Sequence, residues 1–324
     1  MKSIHRILLP AALVAALATG MTLCAAEPPK HQTHKNAGSY APVVNPAIPA
    51  SMTFCGKKVD LDRVDMFERL DRELTSLVYG HGNTLLTLKR ANKYFPVMAP
   101  ILKENGVPED LLYLACVESY LSPRAYSPAK AAGVWQFIPE TAKQYGLEVN
   151  DEVDERYNLA KATAAAARYL KNAYNEYGDW PSALASYNGG RRRITTELDK
   201  QLASSFFDLY LTEETSRYVF RIMAMKAVLE NPRAFGFRLT RDQFYQPVEC
   251  DIVEVSGPVE SWPVWARDYG ITFAQLREEN PWIRAKTLTN KDGKTYQVRI
   301  PKKASLHRST AKQKLYNPSW DYNL

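Results

Sequence analysis

From Asp60 onward the apolar positions fall into step with a helix. Leu61, Val64, Phe67, Leu70, Leu74 and Leu77 recur at helical spacing, with Asp60 as a candidate N-cap. Leu85, Leu88 and Phe95 suggest a second helix, and Pro100, Gly106-Val107-Pro108 and Pro123 punctuate the chain beyond it. Residues 108–121 open on Pro108, suited to a first helical turn, and are apolar on nearly every side, which predicts a buried helix. Over 158–177 Leu159, Ala162, Ala166, Leu170, Ala173 and Tyr177 share one side, small enough for close packing. Pro181 opens a short helix stopped by Asn188-Gly189-Gly190, and 212–230 form a last long helix ended by Asn231-Pro232. The middle of the chain is predicted almost all α.

After Cys250 the period changes. Val253-Glu254-Val255 reads as a strand, Gly257-Pro258 as a turn, and short helices come next around 261–269 and 273–279. Asp292-Gly293 turns the chain into an alternating strand of Tyr296, Val298 and Ile300. The order is β-α-α-β, a small separate module. Residues 302–324 are basic and polar and predict a loose tail.

The N-terminus has the layout of an export signal. Lys2, His5 and Arg6 precede an apolar stretch from Ile7 to Ala18, interrupted by Pro10, and Cys24-Ala25-Ala26 offers a cleavage site. Acylation of Cys24 is the alternative, although Leu23 stands where a small residue is expected. Pro28, Pro29, Pro42, Pro46 and Pro49 make the next segment an extended spacer.

A length of 324 residues sets a prior of two domains, and 45% hydrophobic with 24% charged residues is ordinary for a globular protein. No later apolar run is long enough for a transmembrane helix. Four cysteines are too few for a disulfide scaffold. With Cys116 in the apolar helix, Cys55 and Cys250 are the candidate pair, against free buried thiols. A net charge of +7 suits anionic envelope polymers and equally suits plain solubility. The run Arg191-Arg192-Arg193 lacks the aromatic partners of a nucleic-acid face, so no nucleic acid is expected. His31 and His34 do not have metal-ligand spacing, and no phosphate loop or nucleophilic triad stands out, so neither metal nor cofactor is expected.

Glu118 is the residue out of place. It comes seven after Leu111, four after Leu114 and three after Ala115, so it lies on an apolar stripe near a helix C-terminus. Desolvation and the helix dipole both favour its protonated form, the state a general acid needs. The alternative is a glutamate at a frayed helix end, reaching water.

The surrounding motifs decide between them. They are Glu118-Ser119-Tyr120-Leu121-Ser122-Pro123-Arg124-Ala125-Tyr126-Ser127, Ala131-Ala132-Gly133-Val134-Trp135-Gln136-Phe137-Ile138-Pro139-Glu140-Thr141-Ala142, Gly178-Asp179-Trp180, and Ala183-Leu184-Ala185-Ser186-Tyr187-Asn188-Gly189-Gly190. Glu214-Thr215, Tyr218-Val219 and Asn231 to Gly236 complete the set. In this order, over roughly residues 95–240, the chain resembles the family 1 (SLT-type) lytic transglycosylases. The resemblance implies a mainly α, lysozyme-like (goose-type) catalytic domain. It implies cleavage of the β-1,4 bond between N-acetylmuramic acid and N-acetylglucosamine of peptidoglycan, with the muramoyl C6 hydroxyl replacing water and leaving a 1,6-anhydro end. One carboxyl group then serves as acid and as base, unlike the usual two-carboxylate arrangement, and Glu118 matches it.

Ser127, nine after the glutamate, and Gln136, eighteen after it, match polar residues of the family's cleft and could bond N-acetyl groups and hydroxyls. Tyr187 is expected to orient the catalytic carboxyl, and Asn188 to bind substrate or hold its loop; the alternative for both is a capped helix end. Trp135 and Phe137 stack on sugar or pack in the core, and Gly133 lets the chain turn closely into the cleft. No second carboxylate is expected on this face: Asp151, Glu152, Asp154 and Glu155 read as an exposed acidic cluster. Three positions depart from the family pattern: Lys130, where glycine is common; Tyr218-Val219-Phe220-Arg221, where Tyr-Val-Pro-Lys is usual; and Ser186-Tyr187-Asn188-Gly189-Gly190 in place of Ala-Tyr-Asn-x-Gly.

Residues 252–301 resemble a degenerate LysM module through Tyr269-Gly270-Ile271, Leu276, Asn280-Pro281-Trp282 and Tyr296 to Pro301, with Gly257-Pro258 and Ser261-Trp262-Pro263 replacing the usual opening. It either binds glycan or has kept the fold as a packing module. The expected plan is a signal peptide (1–26), a proline-rich spacer (27–52), a catalytic domain (53–245), the LysM-like module (252–301) and a basic tail (302–324). The expected partner is the peptidoglycan glycan strand. A monomer is expected, exported to the periplasm, with membrane association only if Cys24 is lipidated. The competing functions are a hydrolytic muramidase on the same fold and a catalytically idle peptidoglycan-binding protein.

Overall fold

The computed structural model describes residues 44–309 and 313–323; the signal peptide, Cys24 and most of the spacer lie outside them. A hairpin comes first: β1 (Met52–Phe54) pairs antiparallel with β2 (Lys57–Val59). Helix α1 (Val64–Tyr79) starts later than the sequence predicts, and Arg63 rather than Asp60 precedes it. Its buried stripe is Met66, Leu70 and Leu74, which faces the last long helix and leaves Val64 and Phe67 outside. Helix α2 (His81–Glu104) runs through Pro96 and also through Pro100, where punctuation is expected from the sequence. A proline inside a helix costs about 3 kcal/mol. Burial of Leu88, Ala91, Phe95, Met98 and Leu102 along one face outweighs that cost.

A 3₁₀ turn at Glu109–Leu111 leads into α3 (Leu112–Ser119), buried nearly all round as its composition predicts. Then come α4 (Pro139–Gln144), α5 (Leu159–Tyr177), α6 (Trp180–Gly189), α7 (Arg191–Gln201) and α8 (Glu213–Glu230). The Asn158 and Asp179 side chains cap α5 and α6. Helix α7 is not predicted by the sequence pattern. It buries only Ile194 and opens on three arginines, which its dipole disfavours, and Arg191 is anchored instead on Glu176. Helix α8 packs on α1, α3 and α6 at the centre of the helical body.

The small module comes last as β3 (Cys250–Val255), α9 (Trp262–Asp268), α10 (Phe273–Glu279) and β4 (Tyr296–Pro301), in the expected order. Its strands pair antiparallel from Cys250↔Pro301 to Val255↔Tyr296. Trp262, Leu276, Trp282 and Val298 form its core together with Ala132, Val153 and Tyr157 of the helical body. The two parts therefore share one apolar cluster.

Two expectations are overturned. The end of the chain around Trp320 is not loose: Trp320 is 3% exposed, stacks on Phe244 at 5.8 Å and donates its indole N–H to the Leu229 carbonyl at 2.6 Å. Its apolar partners come from α2 and the 237–244 segment, so polarity along the tail gave no sign of docking. Cys55 and Cys250 are free thiols. Cys55 sits in the β1–β2 turn beside Asp110, whereas Cys250 opens β3 next to Val248 and Glu279. Replacing Trp320 with alanine is expected to lower unfolding free energy by about 3–5 kcal/mol, read from urea denaturation. A loss below about 1 kcal/mol would return the segment to a loose tail.

Candidate active site

Glu118 lies in the last turn of α3, and its apolar neighbours dictate its environment. Leu114 and Ala115, one turn back, are fully buried. Tyr120 closes the helix in the left-handed region (φ 51°) and bonds the Cys116 carbonyl at 2.8 Å. The chain then leaves abruptly, and Glu118 stays against the protein rather than at a frayed end. Burial pushes its carboxyl up to about 7, the nearby Glu214 charge adds to that, and a hydrogen bond from Tyr218 pulls the other way. Burial wins, and the protonated acid is populated near neutrality.

The Tyr218 hydroxyl donates directly to Glu118 Oε1. Tyr218 is buried in α8, and burial raises its own pKa well above the usual phenol range, so it remains a donor. The resemblance implies that Tyr187 orients the catalytic carboxyl, and Tyr187 lies close enough for the Glu118 charge to act on it. The Tyr187 hydroxyl itself donates to the Trp135 carbonyl at 2.7 Å, holding the loop beside the acid. Tyr218 was visible only as part of a family motif, because the chain separation from Glu118 is 100 residues. Glu214 corrects one expectation. It is an exposed carboxylate on the first turn of α8, near enough to raise the Glu118 pKa.

The loop carrying the other candidates is held by its own backbone. Ser127 Oγ accepts the Ala131 N–H at 3.1 Å, and Ser119, next to the acid, donates to the Val134 carbonyl at 2.8 Å. Gly133 has φ +76°, and a Cβ there would stand 2.0 Å from the Arg156 carbonyl oxygen, so only glycine fits. Gln136 also adopts a positive φ, and its amide donates to the Gly133 carbonyl at 2.8 Å. Lys130 has φ 62°, which accounts for the glycine common at that position in the family. Trp135 is buried and donates to Thr163 Oγ1 at 2.9 Å; Phe137 is buried edge-on to Tyr187. Both are core residues rather than exposed sugar platforms. Asn188 accepts from Thr215 Oγ1 at 3.1 Å and lies 3.4 Å from Glu214 Oε1, joining the end of α6 to the start of α8.

The acidic cluster expected at the surface is divided: Asp151 is exposed and Glu152 half-buried, but the other two are interior. Asp154 and Glu155 are 6% and 5% exposed. Asp154 grips Arg156 through Nε at 2.9 Å and Nη2 at 2.7 Å, and Arg156 Nη1 donates to the Lys130 and Phe137 carbonyls at 2.6 and 3.1 Å. Glu155 accepts the Glu148 N–H and pairs with Lys161. From the module, the Trp282 carbonyl accepts the Asp154 N–H at 2.9 Å, and Glu152 accepts from Thr289 N and Oγ1 at 3.0 and 2.9 Å. Arg156 and Lys161 are close in the chain, but the Trp282 and Thr289 groups that cover Asp154 and Glu152 come from the module, which a reading of the local charge pattern does not reveal. Among the described residues no three His, Cys, Asp or Glu side chains gather as a metal site.

Comparison with known proteins adds to this geometry. Residues 96–208 match the family model described as the transglycosylase SLT domain, and residues 251–304 match the soluble lytic transglycosylase C-terminal LysM-like domain. The chain is 34% identical over 242 residues to membrane-bound lytic murein transglycosylase D of Escherichia coli (strain K12), covering 73% of this chain and 51% of that protein. It is 40% identical over 93 residues to peptidoglycan transglycosylase gp16 of Escherichia phage T7, covering 28% of this chain and 7% of that protein. The chain thus spans about half the length of the first of these relatives. The crystal structure of the 70 kDa soluble lytic transglycosylase from Escherichia coli aligns with 22% identity and a TM-score of 0.35, covering 41% of this chain and 24% of that one.

Two outcomes are expected. Tyr218→Phe removes a bond that favours the ionised carboxylate, so the Glu118 titration moves upward by about one pH unit, read by carboxyl carbon NMR; an unchanged titration would remove Tyr218 from the site. Ionising Glu118 costs the folded state stability as pH rises from the ordinary value of 4.5 through about 7. Glu118→Gln avoids this cost and is expected to be more stable than the parent at pH 8 by up to about 3 kcal/mol. The gain disappears below pH 4.5. Urea unfolding at both pH values measures it.

Proposed function

We propose that this chain, which carries the SLT domain and the LysM-like module of the lytic transglycosylases, is a peptidoglycan lytic transglycosylase with Glu118 as its single acid and base. The observation that carries the reading is a carboxyl held up to about 7 by burial on the SLT domain, with a buried tyrosine hydroxyl bonded to one oxygen. Neutral Glu118 protonates the oxygen linking N-acetylmuramic acid to N-acetylglucosamine, and the bond from muramoyl C1 to that oxygen breaks. The carboxylate, stabilised by Tyr218, then takes the proton from the muramoyl C6 hydroxyl as its oxygen closes on C1. The acid is regenerated, no water is consumed, and the product is a 1,6-anhydro end.

In this reading Ser127 and Gln136 bond the N-acetyl and hydroxyl groups of the sugar. Accepting from Ala131 leaves the Ser127 hydroxyl able to donate. Asn188 and Tyr187 hold the surrounding loops, and Gly133 permits the close turn. The partner is the glycan strand, met by an exported monomer in the periplasm, beside the outer membrane if Cys24 is acylated. For the LysM-like module the contacts from Trp282 and Thr289 to residues 152–154 favour the packing role over a freely tethered glycan binder.

Glu214 favours a second reading. A hydrolytic muramidase uses two carboxylates, one of them ionised, and Glu214 is an exposed carboxylate within electrostatic reach of Glu118. Mass spectrometry of fragments released from purified sacculi separates the two. The expected products end in 1,6-anhydromuramic acid, with release falling about 10²–10⁴-fold in Glu118→Gln and persisting in Glu214→Gln. Reducing ends, heavier by one water and lost in Glu214→Gln, would establish the hydrolase. Binding without any release would indicate the idle protein.

A further inference from the structure

A groove of about 400 Å³ opens among α1, α2, α3 and α8. Glu73, Asn83, Val117, Tyr120, Arg217 and Arg221 are among its walls. Val117 immediately precedes Glu118 in the chain, and Arg217 and Arg221 lie on α8 on either side of Tyr218. The groove is thus built from the immediate neighbours of the acid and its hydrogen-bond donor.

Its charges are unevenly matched. Glu73, 3% exposed, accepts from Arg217 Nε at 2.7 Å and Arg72 Nε at 3.0 Å. Arg221 Nε stands 3.6 Å from the same carboxylate, beyond a good hydrogen bond, and the side chain is 37% exposed. Glu213 lies 3.0 Å from Arg72 and 3.8 Å from Arg217, and is largely in solvent. Three guanidinium groups therefore meet two carboxylates, and Arg221, with only its longer contact to Glu73, is the most loosely paired of them. A planar fork of donors on the wall of a half-enclosed polar groove matches a carboxylate. The position is also one of the departures from the family motif, Tyr218-Val219-Phe220-Arg221.

We propose that this groove binds a carboxylate of the peptide stem carried by the glycan, with Arg221 as the residue that recognises it. The proposal rests on peptidoglycan as the substrate. In that polymer the stems hang from the lactyl groups of the muramic residues, beside the bond to be cut, and they carry carboxyl groups. A groove that adjoins the acid and holds an under-used guanidinium would add affinity for stem-bearing strands.

The test is isothermal titration calorimetry of the full chain with soluble GlcNAc–MurNAc disaccharide-peptides, which lack the cleavable linkage. The stem carboxyls are left native or amidated. Glu73 keeps Arg72 and Arg217 in Arg221→Gln, so the fold is expected to survive, and the unfolding midpoint checks it. Amidation is expected to weaken binding to the parent about five- to tenfold. Arg221→Gln should weaken the native ligand by the same factor and abolish the effect of amidation, while Arg221→Lys should retain part of the discrimination. Equal binding of both ligands by the parent, no binding of either, or an undiminished amidation effect in Arg221→Gln would each overturn the proposal. Binding is read without turnover, so an absence of anhydro products would count against the proposed reaction and not against the groove.

Discussion

The arrangement around the candidate acid depends on one buried guanidinium. Arg156 is 5% exposed and is neutralised by Asp154 through two hydrogen bonds, while another of its nitrogens holds the carbonyls of Lys130 and Phe137. A buried pair of this kind adds little net stability, but losing one member strands a charge at about 3–5 kcal/mol. The loop from 130 to 137 has two residues at positive φ besides Gly133, and its internal bonds, such as Ala132 N–H to the Phe137 carbonyl, are supplemented from outside by Arg156. Arg156 holds both of its ends, and its carbonyl abuts Gly133 so closely that no side chain fits. It thereby sets the positions of Gln136 and of the Trp135 carbonyl that receives Tyr187.

Against that scaffold the acid is set by competition among three effects. Desolvation by the α3 surroundings is the largest, the Tyr218 hydrogen bond opposes it, and the Glu214 charge adds a smaller push upward. A fully solvated glutamate would be ionised at neutral pH, and a glutamate buried without Tyr218 would hold its proton too strongly to act as a base afterwards. A value near 7 lets one group do both. Helix α8 supplies the donor, the nearby charge and the arginines of the adjoining groove.

The C-terminal module belongs to the same construction. Its Trp282 carbonyl holds the Asp154 N–H, its Thr289 is held by Glu152, and its core continues into Ala132, Val153 and Tyr157. A separately tethered binder would share no core with the body it serves. Here the path runs from the module through Asp154 and Arg156 to the loop beside the acid.

The helices that position the site were legible along the chain because burial repeats at helical spacing: α3, α5, α6 and α8 all lie where apolar period, proline and glycine put them. Glu118 was legible for the same reason, as a carboxylate out of place on an apolar stripe, and the motif spacing marked the loop residues around it. Local pattern did not reveal partners brought in from a distance. Tyr218 reaches Glu118 across 100 residues, Trp320 docks on Leu229, and Asp154 looks like surface charge until the module brings the Trp282 carbonyl onto its N–H. Pro100 looks like a stop until core burial carries α2 through it. Periodicity reports which face of an element will be buried. Which side chain meets it there, and so whether a charge is paired, solvated or poised to exchange a proton, is decided only when the elements pack.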